Sequence, residues 1–285
     1  MKRIIYKTEK IFEKFGWNTR ENFPFDSLCT RYRKEYNKIM QITSIFNKKG
    51  YNLLEDEWDY AIILDACRYD VAKKIGILNY KVEKKQSPAS ATMEWVRNCI
   101  TDEQKDKILV SANPYLSNEK ILDLAKIKNP FFKNIALWKY GWDEELGTIP
   151  PWAMAKRGKK IARKNPKKRI LFWFIQPHHP FIGYTTKIKL NDKIKRENKE
   201  DEIFNVWQAF ANNLVKKKEV WAAYEKNLKI AINFGVKELI DSLSGKIIIT
   251  SDHGNAFGEM GIYSHPQRVH LKELIEVPFI KIEKK

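Results

Sequence analysis

Cysteine is scarce in this sequence. The 285 residues contain three cysteines, Cys29, Cys67 and Cys99, which are widely spaced and odd in number. A disulfide framework or a cluster of zinc-binding cysteines would need a larger, patterned set, so both are excluded. Reduced thiols in a cytoplasmic protein are the simplest interpretation.

Long apolar runs are also missing. No stretch approaches the ~20 apolar residues that span a bilayer, so no transmembrane segment is expected. The first residues, MKRIIYKTEKIFEKFGW, are basic but lack the continuous apolar core of a secretory signal. We therefore expect a cytoplasmic protein, and the sequence does not indicate its oligomeric state.

Negative charge is in the minority. Lys and Arg number 53 against 35 Asp and Glu, which gives a formal net charge of +18. Such a surface favours anionic partners, namely phosphorylated substrates, acidic headgroups or nucleic acid. Nucleic acid is the less favoured partner, because no nucleic-acid-binding motif accompanies the scattered basic residues. The alternative is that the lysines only solvate the surface.

Apolar runs that end in polar residues recur along the chain. They are DYAIILDACRYD, KILVSANPYLS, RILFWFIQPHHPFIGY and GKIIITSDHG. Helical periodicity lies between them, most clearly from Glu219 to Gly245. Near-continuous apolar strands that alternate with helices predict an α/β fold with a mostly parallel sheet sandwiched by helices. In such folds, ligands bind beyond the carboxyl ends of the strands.

The chain divides into two parts by composition. Residues 1–50 are predicted to form a basic helical N-terminal extension, and residues 51–285 a catalytic domain. The segments around 152–169 and 186–218 are rich in Lys and Arg, and they are predicted to be basic insertions.

Acids and histidines follow three of the predicted strands. The residues that meet at this edge are Asp65, His178, His179, Asp252, His253 and His265. Two carboxylates and an imidazole can hold a divalent cation such as zinc or manganese. For Asp65 or Asp252 taken alone, a helix N-cap is the alternative.

Two hydroxyl groups are candidate nucleophiles. Ser90 and Thr92 lie where the small-residue loop in QSPASATMEWVRNC enters a helix predicted to begin near Thr92 or Met93. A helix N-terminus binds anions, and a hydroxyl beside a metal becomes a nucleophile. Both stay candidates. Thr92 is favoured because it directly precedes the helix, where an N-cap role would be compatible with catalysis.

These motifs resemble the alkaline phosphatase superfamily, in particular its sulfatase-like and phosphoethanolamine or phosphoglycerol transferase branches. IILDACRYD resembles the first metal-binding acid, SPASATMEW the nucleophile turn, and QPHHPF the histidine loop. TSDHGNAFGEMGIYSHP resembles the Asp-His-Gly motif with its downstream histidine, and EVPFI resembles the closing strand. The resemblance covers about residues 55–285 and implies an alkaline-phosphatase-like core.

The resemblance implies a metal-dependent enzyme that transfers phosphoryl groups as a phosphatase, phosphodiesterase or phosphotransferase through a covalent phospho-enzyme. The implied metal ligands are Asp65, Thr92, Asp252 and His253. His179 and His265, with His178 beside them, would bind the phosphoryl group or protonate the leaving oxygen. Arg68 is a candidate for a bidentate phosphate contact, and capping of the core is its favoured alternative role.

Two departures from the family pattern limit what the resemblance implies. Cys67, Cys99 and Ser90 all lack the Cys/Ser-x-Pro-x-Arg context of the sulfatase nucleophile, so a sulfatase-like ester hydrolase is a lesser alternative. Ile175 stands where two-zinc phosphatases have an Asp, so one divalent cation is expected and a second would lack that ligand. The rival from another class is a degenerate member of the fold that binds an anionic polymer or headgroup.

Overall fold

The computed structural model describes residues 28–46, 50–184 and 206–284. Its centre is a seven-stranded sheet with the order β2-β9-β6-β1-β5-β3-β4, beside a small β7-β8 hairpin. The strands are β1 Tyr60–Leu64, β2 Glu83–Gln86, β3 Gln104–Ser111, β4 Phe131–Ala136, β5 Arg169–Phe174, β6 Gly245–Thr250, β7 Ala256–Phe257, β8 Tyr263–Ser264 and β9 Glu276–Lys284.

The five strands β6, β1, β5, β3 and β4 run parallel, whereas β9 pairs antiparallel with β6 and β2 antiparallel with β9. Strand β1 lies at the centre, where Ile62 pairs with Phe172 of β5 and Ile249 of β6. Both faces of such a strand are covered, which explains its continuous apolar sequence. The predicted α/β fold with a mostly parallel sheet is confirmed.

Helices cover both faces of the sheet. They are α1 Leu28–Met40, α2 Tyr69–Ile75, α3 Thr92–Cys99, α4 Asn118–Ala125, α5 Pro151–Lys164, α6 Val206–Ala211, α7 Lys217–Ala231, α8 Lys237–Asp241 and α9 Lys272–Ile275. A π-helical segment, Ile232–Val236, joins α7 to α8. None of the described helices combines the length and the apolar character needed to cross a membrane.

The alternation of side chains along β1 divides the core into two layers. Ile62 and Leu64 pack in the layer that includes α5 and α7. Ala61 and Ile63 pack in the opposite layer, with Trp95 of α3 and residues of α4. The sheet is therefore held from both sides, and its carboxyl edge presents the loops that follow β1, β3, β5 and β6.

The segment 152–169, predicted to be a basic insertion, contains most of α5 and the start of β5. Met154, Ala155 and Gly158 of α5 are buried in the core. A Cβ at Gly158 would lie 3.0 Å from side-chain atoms of Phe172 and Leu239, so the helix packs closely on its neighbours. The Lys and Arg residues that suggested an insertion belong to an amphipathic helix.

The predicted extension 1–50 is described only at residues 28–46 and 50. There α1 is followed by a 3₁₀ helix, Gln41–Phe46, and Tyr36 and Met40 pack with the β7-β8 hairpin, with α9 and with the loop between them. Of the predicted insertion 186–218, residues 186–205 lie outside the described residues, and 206–218 contain α6 and the start of α7. The domain boundaries stay a prediction.

Candidate metal and phosphoryl-transfer site

Two acids and a histidine meet at the carboxyl edge of the sheet. Asp65 directly follows β1, and Asp252 and His253 follow the neighbouring strand β6. All three side chains are buried, and one ligand atom from each lies within 4.8 Å of the others. His253 Nε2 is 3.2 Å from Asp252 Oδ2 and 3.8 Å from Asp65 Oδ1. The structure thus brings together three of the four predicted metal ligands.

The hydrogen bonds of His253 favour a role as a metal ligand. Its Nδ1 lies 2.7 Å from the carbonyl oxygen of Gly254. A carbonyl only accepts, so Nδ1 carries the hydrogen, and Nε2, which faces the two acids, is the nitrogen that can bind a cation. Fixing the tautomer in this way is the usual outer-shell arrangement for a metal-binding histidine.

The electrostatics of the two carboxylates also fit a cation. Burial, and then the negative charge of Asp252, raise the pKa of Asp65 well above its usual value, although hydrogen bonds from Asn113 and Trp173 oppose the shift. Among the described residues, no Lys or Arg lies within ion-pair distance of either acid. Two buried carboxylates and an imidazole lone pair are a donor set that suits zinc or manganese.

Thr92 brings a hydroxyl to the same cluster. It is the first residue of α3, and its Oγ1 donates a hydrogen bond to Asp252 Oδ2 at 2.7 Å. The same oxygen is 3.3 Å from His253 Nε2. Ala91 occupies the N-cap position, so the Thr92 hydroxyl faces the acids and does not cap the helix.

Ser90, the other candidate hydroxyl, makes its hydrogen bonds elsewhere. Its Oγ is buried, lies 2.9 Å from Glu94 Oε2 and 2.8 Å from the Pro266 carbonyl oxygen, and accepts from Val269 N at 3.2 Å. None of these partners is a predicted metal ligand. Of the two hydroxyls, the structure therefore places Thr92 against the acids.

A pair of histidines stands beside this cluster. His178 Nε2 and His265 Nε2 are 2.8 Å apart, and the rings of His265 and His253 have centroids 4.5 Å apart. Burial lowers the pKa of His178 to about 3, and burial with the neighbouring histidines lowers the pKa of His265 well below its usual value. Both imidazoles are therefore neutral at neutral pH.

The tautomers of this pair follow from one contact. His178 Nδ1 contacts the carbonyl oxygen of His179, so it carries the hydrogen, and its Nε2 accepts from His265 Nε2–H. This leaves His265 Nδ1 as a lone pair, which is buried and has no hydrogen-bond partner among the described residues.

His179, which the sequence motif matched to the family histidine, packs against His178, with ring centroids 4.8 Å apart, and has no hydrogen bond or ion pair with Asp65, Asp252 or His253 among the described contacts. Its ring packs edge-to-face with Phe181 and Trp207, with centroids 6.5 Å away in each case. Burial lowers its pKa to about 4. Of the two adjacent histidines, His178 is the one that the structure brings to His265.

Arg68 is buried and pairs with two acids nearer the surface. Its guanidinium pairs with Asp70 at 2.6 Å and with Glu259 at 2.8 Å, and it lies over the Trp221 ring. The guanidinium nitrogens of Arg68 that a bidentate phosphate contact would need are therefore bound to carboxylates. The arrangement corresponds to the core-capping alternative.

Two residues at the site carried no role in the sequence analysis. Asn113 Nδ2 donates to Asp65 Oδ2 at 2.5 Å, and Trp173 Nε1 donates to the same oxygen at 3.2 Å. Asn113 follows β3 at the same sheet edge as the two acids, and this position after an apolar strand could have indicated a role at the site. Trp173 lies within the apolar run of β5 and gave none.

A cavity of about 250 Å³ opens over the cluster. Its polar lining residues include Asp65, Thr92, Asn113, Tyr115, His178 and His265. Ile175 also lines it, at the position where a second metal site would need an acid. The nucleophile candidate and the neutral histidine pair therefore face one small space.

Solved structures share this architecture. The soluble domain of lipooligosaccharide phosphoethanolamine transferase A from Neisseria meningitidis has a TM-score of 0.52 at 14% identity, with 78% of this chain and 75% of that chain covered. The integral membrane protein lipooligosaccharide phosphoethanolamine transferase A from the same organism has a TM-score of 0.52 at 13% identity, with 99% of this chain and 59% of that chain covered. The chain shares the fold of these phosphoethanolamine transferase structures.

The resemblance expected from the motifs is thus confirmed at the level of the fold. The sequence matches no protein-family model and no curated protein. At these identities the structural likeness shows the fold alone, so the chemistry has to be argued from the residues of this chain.

Proposed function

We propose that the protein is a metal-dependent phosphoryl-transfer enzyme with Thr92 as its nucleophile. The observation that carries the proposal is the position of Thr92 Oγ1, 2.7 Å from Asp252 Oδ2 and 3.3 Å from His253 Nε2. A hydroxyl held against a carboxylate that can accept its proton is arranged for nucleophilic attack.

Asp65, Asp252, His253 and the Thr92 hydroxyl would hold one divalent cation, zinc or manganese. Bound there, the cation would lower the pKa of the Thr92 hydroxyl and offset charge on the transferring phosphoryl oxygens. Asn113 orients Asp65 from outside this set. A second cation is not part of the proposal, because Ile175 supplies no ligand.

Each step of the proposed phosphoryl transfer is assigned to named side chains. Thr92 gives its proton to Asp252, and Oγ1 attacks the phosphorus in line with the leaving oxygen. The bond from phosphorus to the leaving oxygen breaks, and Thr92 becomes phosphorylated. His178 and His265 line the cavity, where the anionic substrate favours uptake of a proton from solvent at the unpaired His265 Nδ1; this N–H then binds a phosphoryl oxygen or gives its proton to the leaving oxygen. Water or an acceptor hydroxyl then releases the phosphoryl group.

The substrate class follows from charge. A phosphate ester is anionic, and the chain carries a formal net charge of +18. The alternative of a degenerate binding protein would be favoured by a missing ligand, whereas the Asp65, Asp252 and His253 set is complete. A sulfatase-like hydrolase is less favoured, because the hydroxyl against the acids belongs to a threonine.

The test is metal analysis combined with turnover of an aryl phosphate monoester and diester. We expect one bound divalent cation per chain and turnover that is lost in Asp252→Ala. Thr92→Ser should keep measurable turnover and Thr92→Val should not, since both variants are close in size but only the first retains the hydroxyl. A wild-type protein that binds no divalent cation would overturn the proposal.

A further inference from the structure

One carboxylate outside the cavity joins the two segments that bring Thr92 and His265 together. Glu94 lies two residues after Thr92 in the first turn of α3, and it is 7% exposed. Its Oε2 accepts hydrogen bonds from Ser90 N and Ser90 Oγ, each at 2.9 Å. These bonds fix the turn directly before Thr92.

The same carboxylate also binds the loop that follows His265. Glu94 Oε2 accepts from Arg268 N at 2.9 Å, and Oε1 is 2.9 Å from His270 Nε2. Ser90 Oγ adds contacts to the Pro266 carbonyl oxygen and to Val269 N. Four hydrogen bonds thus converge on a single buried side chain, from segments more than 170 residues apart in the chain.

An ordinary helix-capping role explains only part of this arrangement. A Glu at this position of a helix commonly bonds to a backbone N–H at the helix start, and the Ser90 contact is of that kind. Capping does not require contacts to Arg268 N or to His270. Nor does Glu94 line the cavity, so it has no direct contact with a substrate there.

We infer that Glu94 is a positioning residue that sets the geometry between the Thr92 hydroxyl and the His265 imidazole. The inference rests on the proposed function, since it assigns Glu94 a role in that reaction. Thr92 must sit against Asp252 while His265 faces the same cavity, and Glu94 ties the two backbone segments into one unit. A misplacement of about 1 Å between reacting groups can cost on the order of 100-fold in rate.

Glu94→Ala and Glu94→Gln separate this role from others. The glutamine carbonyl oxygen can still accept from Ser90 and Arg268, and its amide can donate to His270 in the tautomer whose Nε2 is free of hydrogen. We expect kcat to fall about 10- to 100-fold in Glu94→Ala and to stay within about threefold of the wild type in Glu94→Gln. KM should change less than about threefold in both, because Glu94 does not line the cavity. The dissociation constant for Mn²⁺ should rise by a smaller factor than kcat falls, because three of the four proposed ligands, Asp65, Asp252 and His253, make no contact with Glu94.

Two further variants distinguish the positioning role of Glu94 from a general loss of stability. His270→Ala removes one of the four contacts and should give an intermediate kcat. Asp59→Ala is the matched control: its carboxylate accepts from Lys246 N at 2.7 Å at the amino edge of the sheet, so the protein should lose stability and keep its kcat. Hydrogen exchange gives a readout without turnover, and Glu94→Ala should speed exchange of the Arg268 and Val269 amides at least tenfold.

The outcomes are distinct. Wild-type kcat in Glu94→Ala, a Glu94→Gln variant as slow as Glu94→Ala, or unchanged exchange at Arg268 and Val269 would each overturn the positioning role. Absence of turnover in the wild type, or full activity in Thr92→Val, would instead overturn the proposed function and with it the role of Glu94 in that reaction. The exchange result would then still decide whether Glu94 joins the two segments.

Discussion

Thr92 Oγ1 donates a hydrogen bond to Asp252 Oδ2 across 2.7 Å, in a setting where both side chains are buried. The two residues are 160 positions apart in the chain, one at the start of a helix and the other after a strand of the central sheet. This contact makes the hydroxyl the group on which activity should depend most.

Removal of the Thr92 hydroxyl should abolish turnover while leaving the fold intact. We expect Thr92→Val to lower kcat for an aryl phosphate at least about 1,000-fold, because loss of a covalent nucleophile leaves only binding and electrostatic contributions. Intact-mass measurement after a rapid quench should show a phosphorylated species in the wild type and none in Thr92→Val. A Thr92→Val enzyme with undiminished turnover would show that another group attacks the phosphorus.

Asn113 should tune the affinity for the metal. Its amide donates to Asp65 Oδ2 at 2.5 Å, so Asn113→Ala would leave that oxygen with only the longer bond from Trp173. Loss of an outer-shell partner typically lowers metal affinity about 10- to 100-fold, and we expect a fall in this range by calorimetric titration with Mn²⁺. Asn98→Ala is the control, since Asn98 is an exposed amide bound to the Pro88 carbonyl. Equal affinities in the two variants would contradict the role of Asn113.

The sequence predicted the strands of the site well, because buried parallel strands have a distinct pattern. Asp65 and Asp252 each follow a continuous apolar run, and such runs end at the same sheet edge. The choice between Ser90 and Thr92, and between His178 and His179, could not be made in this way. Neighbours one or two positions apart differ only in where their side chains point, and tertiary packing decides that. The role of Glu94 depends on a loop whose path has no local signal.

Arg68 should matter for stability. Arg68 is 4% exposed and its guanidinium is bound to Asp70 and Glu259, so Arg68→Ala would remove the positive charge beside Glu259 and open a space beside Trp221. We expect the free energy of unfolding to fall by about 2 kcal/mol in urea denaturation, with little change in KM. Lys74→Ala is the control, because the Lys74–Glu225 pair is exposed on the Lys74 side and should contribute less than about 1 kcal/mol. A raised KM with unchanged stability would instead favour a phosphate contact.

The free energy of unfolding of the metal-free protein should depend on pH through Asp65. Burial and the charge of Asp252 raise the pKa of Asp65 in the folded state well above 3.8, its ordinary value in the unfolded chain. At a pH between the unfolded-state and the folded-state pKa, the folded protein therefore binds more protons than the unfolded chain. Stability from this group is therefore present at low pH and is lost as pH rises through the folded-state value. Burial lowers the pKa of His178, His179 and His265 in the folded state, so above about pH 7.5 these imidazoles are neutral in both states and no longer contribute to the slope.

Asp65→Asn isolates this effect, because the asparagine cannot ionise and can donate a hydrogen bond towards Asp252. Without metal, we expect Asp65→Asn to unfold at a higher urea concentration than the wild type at pH 8, with the difference shrinking as pH falls towards about 4. Saturating Mn²⁺ should reverse the order at pH 8, since a cation compensates the two wild-type carboxylates and the variant binds it weakly. A metal-free wild type that is more stable than Asp65→Asn at pH 8 would show that the two acids do not repel each other in the folded protein.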